Sequence, residues 1–328
     1  MSKAIVVYGG QYGSEGKASA AEYWAMEART RGDQIAVIGE NSPNSGHTCS
    51  LGSTRNIPAS SFFADAILLG PDSVVDEKLL VSDWEKTGCK PLFVHENAAF
   101  LDDECRSQER SLVERISSTG SGSGKARGRK FIDRDSRAIV KGRLSHAGIE
   151  VVDTAEWMKL VKQAYCRGSV IMECSQGLML DPNLGRYPFC TSRSTSPRVA
   201  VERNALGWIP WQFAGVYRTY PIRTGGPSGS TGGNELQWMH LGEPEEITTV
   251  TKRIRRVFEF SHEEFALSLE IARPDILMFT FLDYLGIADL NAEKPVFKEW
   301  LDYYGIEGVT KFPVYVSNKT GKFVPFGE

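Results

Sequence analysis

Residues Ala4–Lys17, AIVVYGGQYGSEGK, set a compact apolar run against a glycine-rich turn. The turn opens a long segment with apolar residues at helical spacing: Ala21, Trp24, Ala25 and Ala28. A second apolar run, Gln34–Ile38, follows. Strand, tight turn, helix and strand make the opening of a βαβ unit. A chain that begins this way needs crossover connections and a sheet covered on both faces. Further short apolar runs read as buried strands at Ala66–Leu69, Pro91–Val94, Ser169–Glu173, Phe213–Tyr217, Asp275–Thr280 and Phe312–Val316. Helical spacing falls between several of them, at Asp76–Lys86, Asp153–Tyr165 and His262–Ala272. The expectation is an α/β fold with a largely parallel central sheet flanked by helices, residues 1–328 forming a single domain. Ligands should gather beyond the carboxyl ends of the strands.

Composition supports a large core, with 41% hydrophobic residues in 328. A net charge of -3 gives no overall attraction for nucleic acid, and no direct nucleic-acid binding is expected. Anionic substrates would need local basic patches. The six cysteines form no CxxC pair and no zinc spacing, which points to reduced thiols and a cytoplasmic protein. The apolar run near the N-terminus is too short for a signal peptide, and no later run approaches membrane-spanning length.

The first loop resembles a P-loop: its glycines let backbone N–H groups turn toward phosphate, and the following helix adds its positive end. It departs twice. Five residues rather than four separate Gly10 from Gly16, and Lys17 is followed by Ala18, where a hydroxyl normally meets magnesium. A plain strand-to-helix turn accounts for the same residues. Ser14 stands in its middle, where a carboxylate could hold a metal and take a proton; an unassisted hydroxyl is a poor base. A second glycine-rich stretch, Ser117–Lys130 (SSTGSGSGKARGRK), follows a helical segment and lacks the Walker context. It reads either as a solvated basic linker or as a loop meeting a substrate phosphate through Thr119 and its glycine amides, with Arg134 nearby. Residues Arg223–Glu235 read as a flexible loop.

His47, in NSPNSGHT after the second strand, is either an exposed loop histidine or a catalytic one. Gln176 and Thr191 follow another buried strand, where polar loop caps are common. The stretch ITTVTKRIRRVFEF, Ile247–Phe260, sets Arg253, Arg255 and Arg256 beside Thr248, Thr249 and Thr251. That composition suits a bidentate grip on carboxylates, or an exposed charged hairpin. Asp283, directly after an apolar strand, can accept hydrogen bonds from a base edge or cap a helix.

Taken in order, GGQYGSEGKAS, SGHT, STGSGSG, ECSQGLMLD with RYPFCTS, the Thr/Arg loop and FTFLD resemble the adenylosuccinate synthetase family along nearly the whole chain. The resemblance implies that family's P-loop-NTPase-like fold, Mg2+ as cofactor and a homodimer. It implies a carbon–nitrogen ligase that moves the γ-phosphoryl group of a nucleoside triphosphate to O6 of a purine monophosphate, after which the amine of L-aspartate displaces phosphate at C6. Ser14, Lys17, His47 and Gln176 are the catalytic set it implies, His47 acting as the acid on the phosphoryl oxygen and Gln176 orienting the purine. Gly13, Ser14, Glu15, Gly16, Lys17, Gly46, His47, Thr48, Ser317 and Gly321 would bind the nucleoside triphosphate, with Phe281 and Asp283 at its base. Ser14 and the Gly46 carbonyl would bind the magnesium. Ser14, Asn44, Ser118, Thr119, Arg134, Gln176 and Thr191 would hold the purine monophosphate, Arg134 coming from the partner of the dimer. Thr249, Val250, Thr251, Arg253 and Arg255 would grip the aspartate.

Two departures matter. The family's loop has an aspartate, the base for N1 and a magnesium ligand, where this chain has Ser14. A phage-encoded branch of the family carries serine there, accepts dGMP and makes the precursor of 2-aminoadenine. Serine leaves space beside N1 for the guanine 2-amino group and can accept its hydrogen bond, although a carboxylate would also bind that edge. A phosphate oxygen or a water beside Ser14 are both candidates for taking the N1 proton. The second departure is Phe281, where the guanine-reading loop of the family has lysine; an aromatic ring stacks on any purine, so ATP or dATP is the expected donor. The leading expectation is a ligase joining L-aspartate to dGMP. An ordinary adenylosuccinate synthetase acting on IMP with GTP is the alternative. A nucleotide-driven switch on a related scaffold is a third reading, against which the aspartate-gripping loop speaks.

Overall fold

Every residue of the first strand, β1 (Ala4–Gly9), is buried, and its side chains divide by period two: Ala4, Val6 and Tyr8 join one apolar cluster, Ile5 and Val7 another. That division requires a cover on each face of the strand. The computed structural model describes residues 3–287, 289–290, 294–319 and 321–326, so the ends of the 1–328 span expected as one domain lie outside the described residues. Within them β1 sits inside a 10-stranded sheet.

The other strands of this sheet are β2 (Gln34–Gly39), β3 (Ala66–Leu69), β4 (Leu92–His95), β5 (Ile149–Val152), β6 (Gly168–Gly177), β7 (Gln212–Arg218), β8 (Ile276–Thr280), β9 (Val314–Val316) and β10 (Val324–Phe326). Their spatial order is β10-β9-β8-β7-β1-β6-β2-β3-β4-β5. All neighbours pair parallel except β9 with β10, as expected of a largely parallel sheet. β1 pairs with β6 on one side and β7 on the other, and its chain crosses β6 to reach β2. This places the loop after β1 at a switch point of the sheet, where a crevice opens.

The helix Lys17–Thr30 packs Ala20, Ala21, Trp24, Ala25 and Ala28 on one face of the sheet. The helix Thr154–Arg167 covers the other with Trp157 and Val161. Asp76, Asp153 and Ser261 cap three helices, accepting from Leu79 N, Glu156 N and Glu264 N. Helices Asp103–Glu109 and Ser111–Ile116 make up the helical segment expected before the second glycine-rich stretch, while Ser123–Gly128, Pro197–Arg203 and Lys294–Tyr303 add to those expected, as do strands β5 and β10. The strand expected at Ser169–Glu173 runs on to Gly177, so Gln176 belongs to β6 rather than to a following loop. A small antiparallel sheet of Ile222–Arg223, Arg256–Phe258 and Glu235–Leu236 carries the Thr/Arg loop.

Candidate functional site

A cavity of about 420 Å³ opens beyond the carboxyl ends of β1, β2, β6, β7 and β8. Its floor is the loop after β1. Gly13, Ser14 and Gly16 take φ of 96°, 59° and 89°, a run of left-handed backbone that turns the chain sharply. Gly10 cannot carry a side chain, because a Cβ there would lie 2.0 Å from the Tyr217 ring. Glu15 is wholly buried beneath this turn. Its Oε1 accepts from Gln11 N at 3.3 Å and Gly13 N at 2.7 Å, and its Oε2 pairs with Lys17 Nζ at 2.7 Å. The Glu15 side chain therefore shapes the loop from below and lies outside the cavity wall, and the Gly13 N–H is already engaged. Gly13, Ser14, Gly16 and Lys17 line the cavity. The Ser14 carbonyl accepts from Arg218 Nη1 at 3.2 Å, which braces the serine in its positive-φ conformation.

His47 stands at 5% exposure on the cavity wall, so it is neither an exposed loop residue nor detached from the site. Its Nδ1 meets Glu173 Oε1 at 2.6 Å, and Ser45 Oγ lies 3.3 Å from its Nε2. The Glu173 Oε2 accepts from Ser60 N at 2.9 Å and Ser60 Oγ at 2.7 Å. Burial alone would push the Glu173 carboxyl up, but the hydrogen bond and charge of His47, with the Ser60 donors, hold it below the usual range. A carboxylate fixing Nδ1 leaves Nε2 for the ligand, the arrangement of an oriented acid. Sequence reading missed Glu173, a lone acidic residue in a strand otherwise read as apolar, 126 residues from its partner.

On the purine side, Asn44, Thr119 and Gln176 line the same cavity. The Asn44 Oδ1 is buried without a hydrogen-bond partner among the described residues, an acceptor that a bound ligand can satisfy. Gln176, at φ 71°, sits where the β1–β6 register shifts. The glycine amides of the second loop are not free for phosphate as the sequence reading supposed: the Gly122 and Gly124 N–H groups donate to the Glu109 carboxylate, the latter at 2.8 Å. Ser118 and Thr191 lie outside the cavity wall, Thr191 N donating to Leu180 O at 2.8 Å. Arg134 is exposed and away from this chain's cavity.

Thr249, Val250, Thr251 and Arg255 bring the Thr/Arg loop to the wall. A Cβ on Gly46 would lie 2.8 Å from Thr249 Cγ2, so this loop touches the segment that carries His47. Arg253 is exposed and off the wall. The Arg255 guanidinium lies 3.6 Å from Glu246, its Nε buried without a hydrogen bond, and burial lowers its pKa. Glu246 also pairs with Arg218 and accepts from Tyr284 Oη at 2.6 Å. Arg218 and Glu246, both on the wall, were not anticipated; a buried arginine at a strand end has no periodic signature. Phe281 lines the wall at φ 60°, with the Arg218 guanidinium 3.7 Å from its ring centre, so one side of the ring is already stacked. Asp283 lies off the wall and accepts from Lys319 N at 2.8 Å, while its Oδ2 is buried without a hydrogen bond among the described residues. Ser317 is fully buried, and Gly321, at φ 73°, packs against Ser19; neither lines the cavity. Among the described residues no group of three His, Cys, Asp or Glu side chains converges as a metal cage.

A nucleotide-sized crevice at a sheet switch point, floored by a glycine loop with a lysine and walled by a His–Glu pair and an arginine loop, defines a phosphoryl-handling α/β enzyme. The model of the family described as "Adenylosuccinate synthetase" matches residues 141–291. The "N6-succino-2-amino-2'-deoxyadenylate synthase" of Vibrio phage phiVC8 is 31% identical over 300 residues, 84% of each chain. The protein of the same name from Salmonella phage PMBT28 is 30% identical, covering 86% of each. The adenylosuccinate synthetase of Methanocaldococcus jannaschii is 27% identical over 95% of this chain and 92% of its own. Among solved structures, the cyanophage S-2L succinoaminodeoxyadenylate synthetase bound to dGMP and dATP superposes with a TM-score of 0.83, covering 100% of this chain and 96% of that one at 27% identity. This chain belongs to the adenylosuccinate synthetase family, and within it resembles the phage synthases named above.

Proposed function

We propose that this chain joins L-aspartate to C6 of dGMP at the expense of ATP or dATP, giving 2-amino-2'-deoxy-N6-succinyladenylate. The observation that carries the reading is Ser14, which stands on the cavity wall with Lys17, His47, Asn44, Thr119, Gln176, Thr249, Thr251 and Arg255. The similarity to phage synthases, one of them solved with dGMP and dATP, supports it. The purine O6 attacks the γ-phosphorus, the bond to the bridging oxygen breaks, and the N1 proton passes to a phosphate oxygen or to a water beside Ser14. The aspartate amine then attacks C6, the C6–O6 bond breaks, and phosphate departs as the amine loses its proton.

Lys17 neutralises phosphate charge, and His47, oriented by Glu173, presents Nε2 to the phosphoryl oxygen. Asn44, Thr119 and Gln176 hold the purine monophosphate, while Thr249, Thr251 and Arg255 receive the aspartate carboxylates. Mg2+ fits this donor set as an ion carried largely by nucleotide phosphates, since the wall offers oxygen donors and no cage of carboxylates. Ser14 and the Gly46 carbonyl would hold it, and when bound it supplies charge neutralisation on the phosphates. Residues 1–328 act as one catalytic domain in this reading. A homodimer completes the site: Arg134 is exposed beside Phe131 and Ile132, 59% and 80% exposed, and a partner copy would receive it. The free cysteines support a cytoplasmic location, in the host cell for a phage enzyme. No helix among the described residues is long and apolar enough to cross a membrane.

The test is incubation of the purified protein with magnesium, aspartate and each pairing of dGMP, GMP or IMP with ATP, dATP or GTP, with phosphate release and product mass as readouts. Succinylated product from dGMP with ATP or dATP is expected. Product from IMP with GTP alone would instead make the chain an ordinary adenylosuccinate synthetase.

A further inference from the structure

Behind the cavity, a knot of buried charges ties together the loops assigned to the purine monophosphate. Arg193 Nη1 lies 3.2 Å from Glu40 and 3.1 Å from Asp72. Arg203 lies 2.6 Å from Glu40 and 3.6 Å from Asp72. Arg127, at 4% exposure, donates to Ser42 Oγ at 3.0 Å and Ser192 Oγ at 3.2 Å, and its Nε is 3.8 Å from Asp72 with no hydrogen bond of its own. Arg193 Nη2 donates to Ser175 Oγ at 2.8 Å. Each contacted serine adjoins a site residue: Ser42 precedes Asn44 by two positions, Ser175 precedes Gln176, and Ser192 follows Thr191.

The charges do not balance. Among the described residues Arg127, Arg193 and Arg203 form ion pairs only with Glu40 and Asp72, and Lys130, donating to Pro71 O at 2.7 Å, adds a further cation at the edge. Glu109 and Asp181, buried carboxylates of the same loops, accept from main-chain N–H groups: Gly122 and Gly124 for the first, Asn183, Leu184 and Thr195 for the second. Burial pushes Arg127 down to about 10, with Arg193 repelling it further, which marks it as the least compensated member. A buried charge in excess of its partners is costly, and a phosphate monoester, carrying about -1.5 to -2 charges, is the anion that would balance it.

We propose that this cluster is a built-in counter-charge for the 5′-phosphate of the purine monophosphate, with Arg127 and Lys130 its least compensated cations and positioning residues for the loops that touch the nucleotide. The inference rests on the assignment of Asn44, Thr119 and Gln176 to that nucleotide. It predicts that the sign of a charge change decides the direction of the effect, whereas a purely structural knot would be harmed by any change.

Binding of dGMP and of deoxyguanosine is measured calorimetrically and by competition for Arg127→Met, Lys130→Met and Glu40→Gln, with the KM of the triphosphate and of aspartate in parallel. Arg127→Met should weaken dGMP by about tenfold and Lys130→Met by about threefold, with deoxyguanosine and both other KM values within twofold. Glu40→Gln, which removes a negative charge, should leave dGMP binding as tight or tighter. Equal weakening of nucleotide and nucleoside, unchanged dGMP binding in both cation variants, or weakening by Glu40→Gln would each overturn the inference. Lys130→Met, at the edge of the cluster, carries the test if Arg127→Met fails to fold. If the unaltered enzyme binds IMP and not dGMP, the proposed substrate fails; the same comparison with IMP and inosine then tests the counter-charge by itself.

Discussion

Replacing Glu173 with Gln keeps the shape of the side chain and removes its charge. Ser60 supplies two donors to one carboxylate oxygen, so the glutamine oxygen must face Ser60 and its NH2 must face His47 Nδ1. The ring is then fixed with Nδ1 as acceptor and a proton on Nε2, in place of a ring whose Nδ1 faces a carboxylate. A hydrogen bond between charged partners in a buried site contributes about 1.5–3 kcal/mol, and breaking a buried pair costs about 3–5 kcal/mol. If about 3 kcal/mol of that falls on the transition state, kcat drops by roughly 10²-fold. Continuous phosphate release at saturating nucleotide and aspartate measures it. The KM values should move less than threefold, because the substrate contacts remain. A kcat within threefold of the unaltered enzyme would refute the role given to the pair.

Other outcomes follow from the same geometry. Ser14→Asp, tolerated in left-handed backbone, should shift the dGMP to IMP ratio of kcat/KM toward IMP by at least tenfold; an unchanged ratio would remove position 14 from purine selection. Phe281→Lys should raise use of GTP relative to ATP in a donor competition, and should also loosen the Arg218 stack, read as a fall in melting temperature. Gly46→Ala forces Thr249 away and should raise the KM for aspartate by about tenfold with a smaller effect on the triphosphate; equal effects on both would show general loop damage. Stability should fall on acidification. Burial alone would raise Glu173, Asp72, Glu246 and Asp181, yet their arginine, histidine, hydroxyl and amide partners outweigh it and hold each carboxyl low. Their contribution is present above the unfolded values near about 4 to 4.5 and is lost as pH drops through the folded ones. The melting temperature should therefore decline below about pH 4.5, and a flat profile down to pH 3 would contradict these pairings.

Much of the sheet was legible because buried parallel strands are short apolar runs separated by helical spacing. β5 escaped: its sequence, IEVV, is brief and alternates with an exposed Glu150 at the sheet edge. β10 contains Pro325, which speaks against a strand but is tolerated at an antiparallel edge. In the site, glycine loops and His47 were visible from local pattern, because turn chemistry is local. Glu173, Arg218, Glu246 and the Arg127 cluster were not, since each has meaning only through partners brought together by the sheet. Arg127 even read as part of a solvated linker, although it is buried against Ser42 and Ser192. The glycines after Thr119 read as phosphate ligands from the sequence, but Glu109 occupies the amides of Gly122 and Gly124, and Ser118 Oγ accepts from that of Gly120.

The central claim is tested most directly by the mass of the nucleotide product formed from dGMP, L-aspartate and ATP or dATP with magnesium, beside a parallel reaction of IMP with GTP. The account predicts a succinylated 2-amino-2'-deoxyadenylate with one phosphate released per product. Succinylation of IMP alone, with dGMP recovered unchanged, would contradict it.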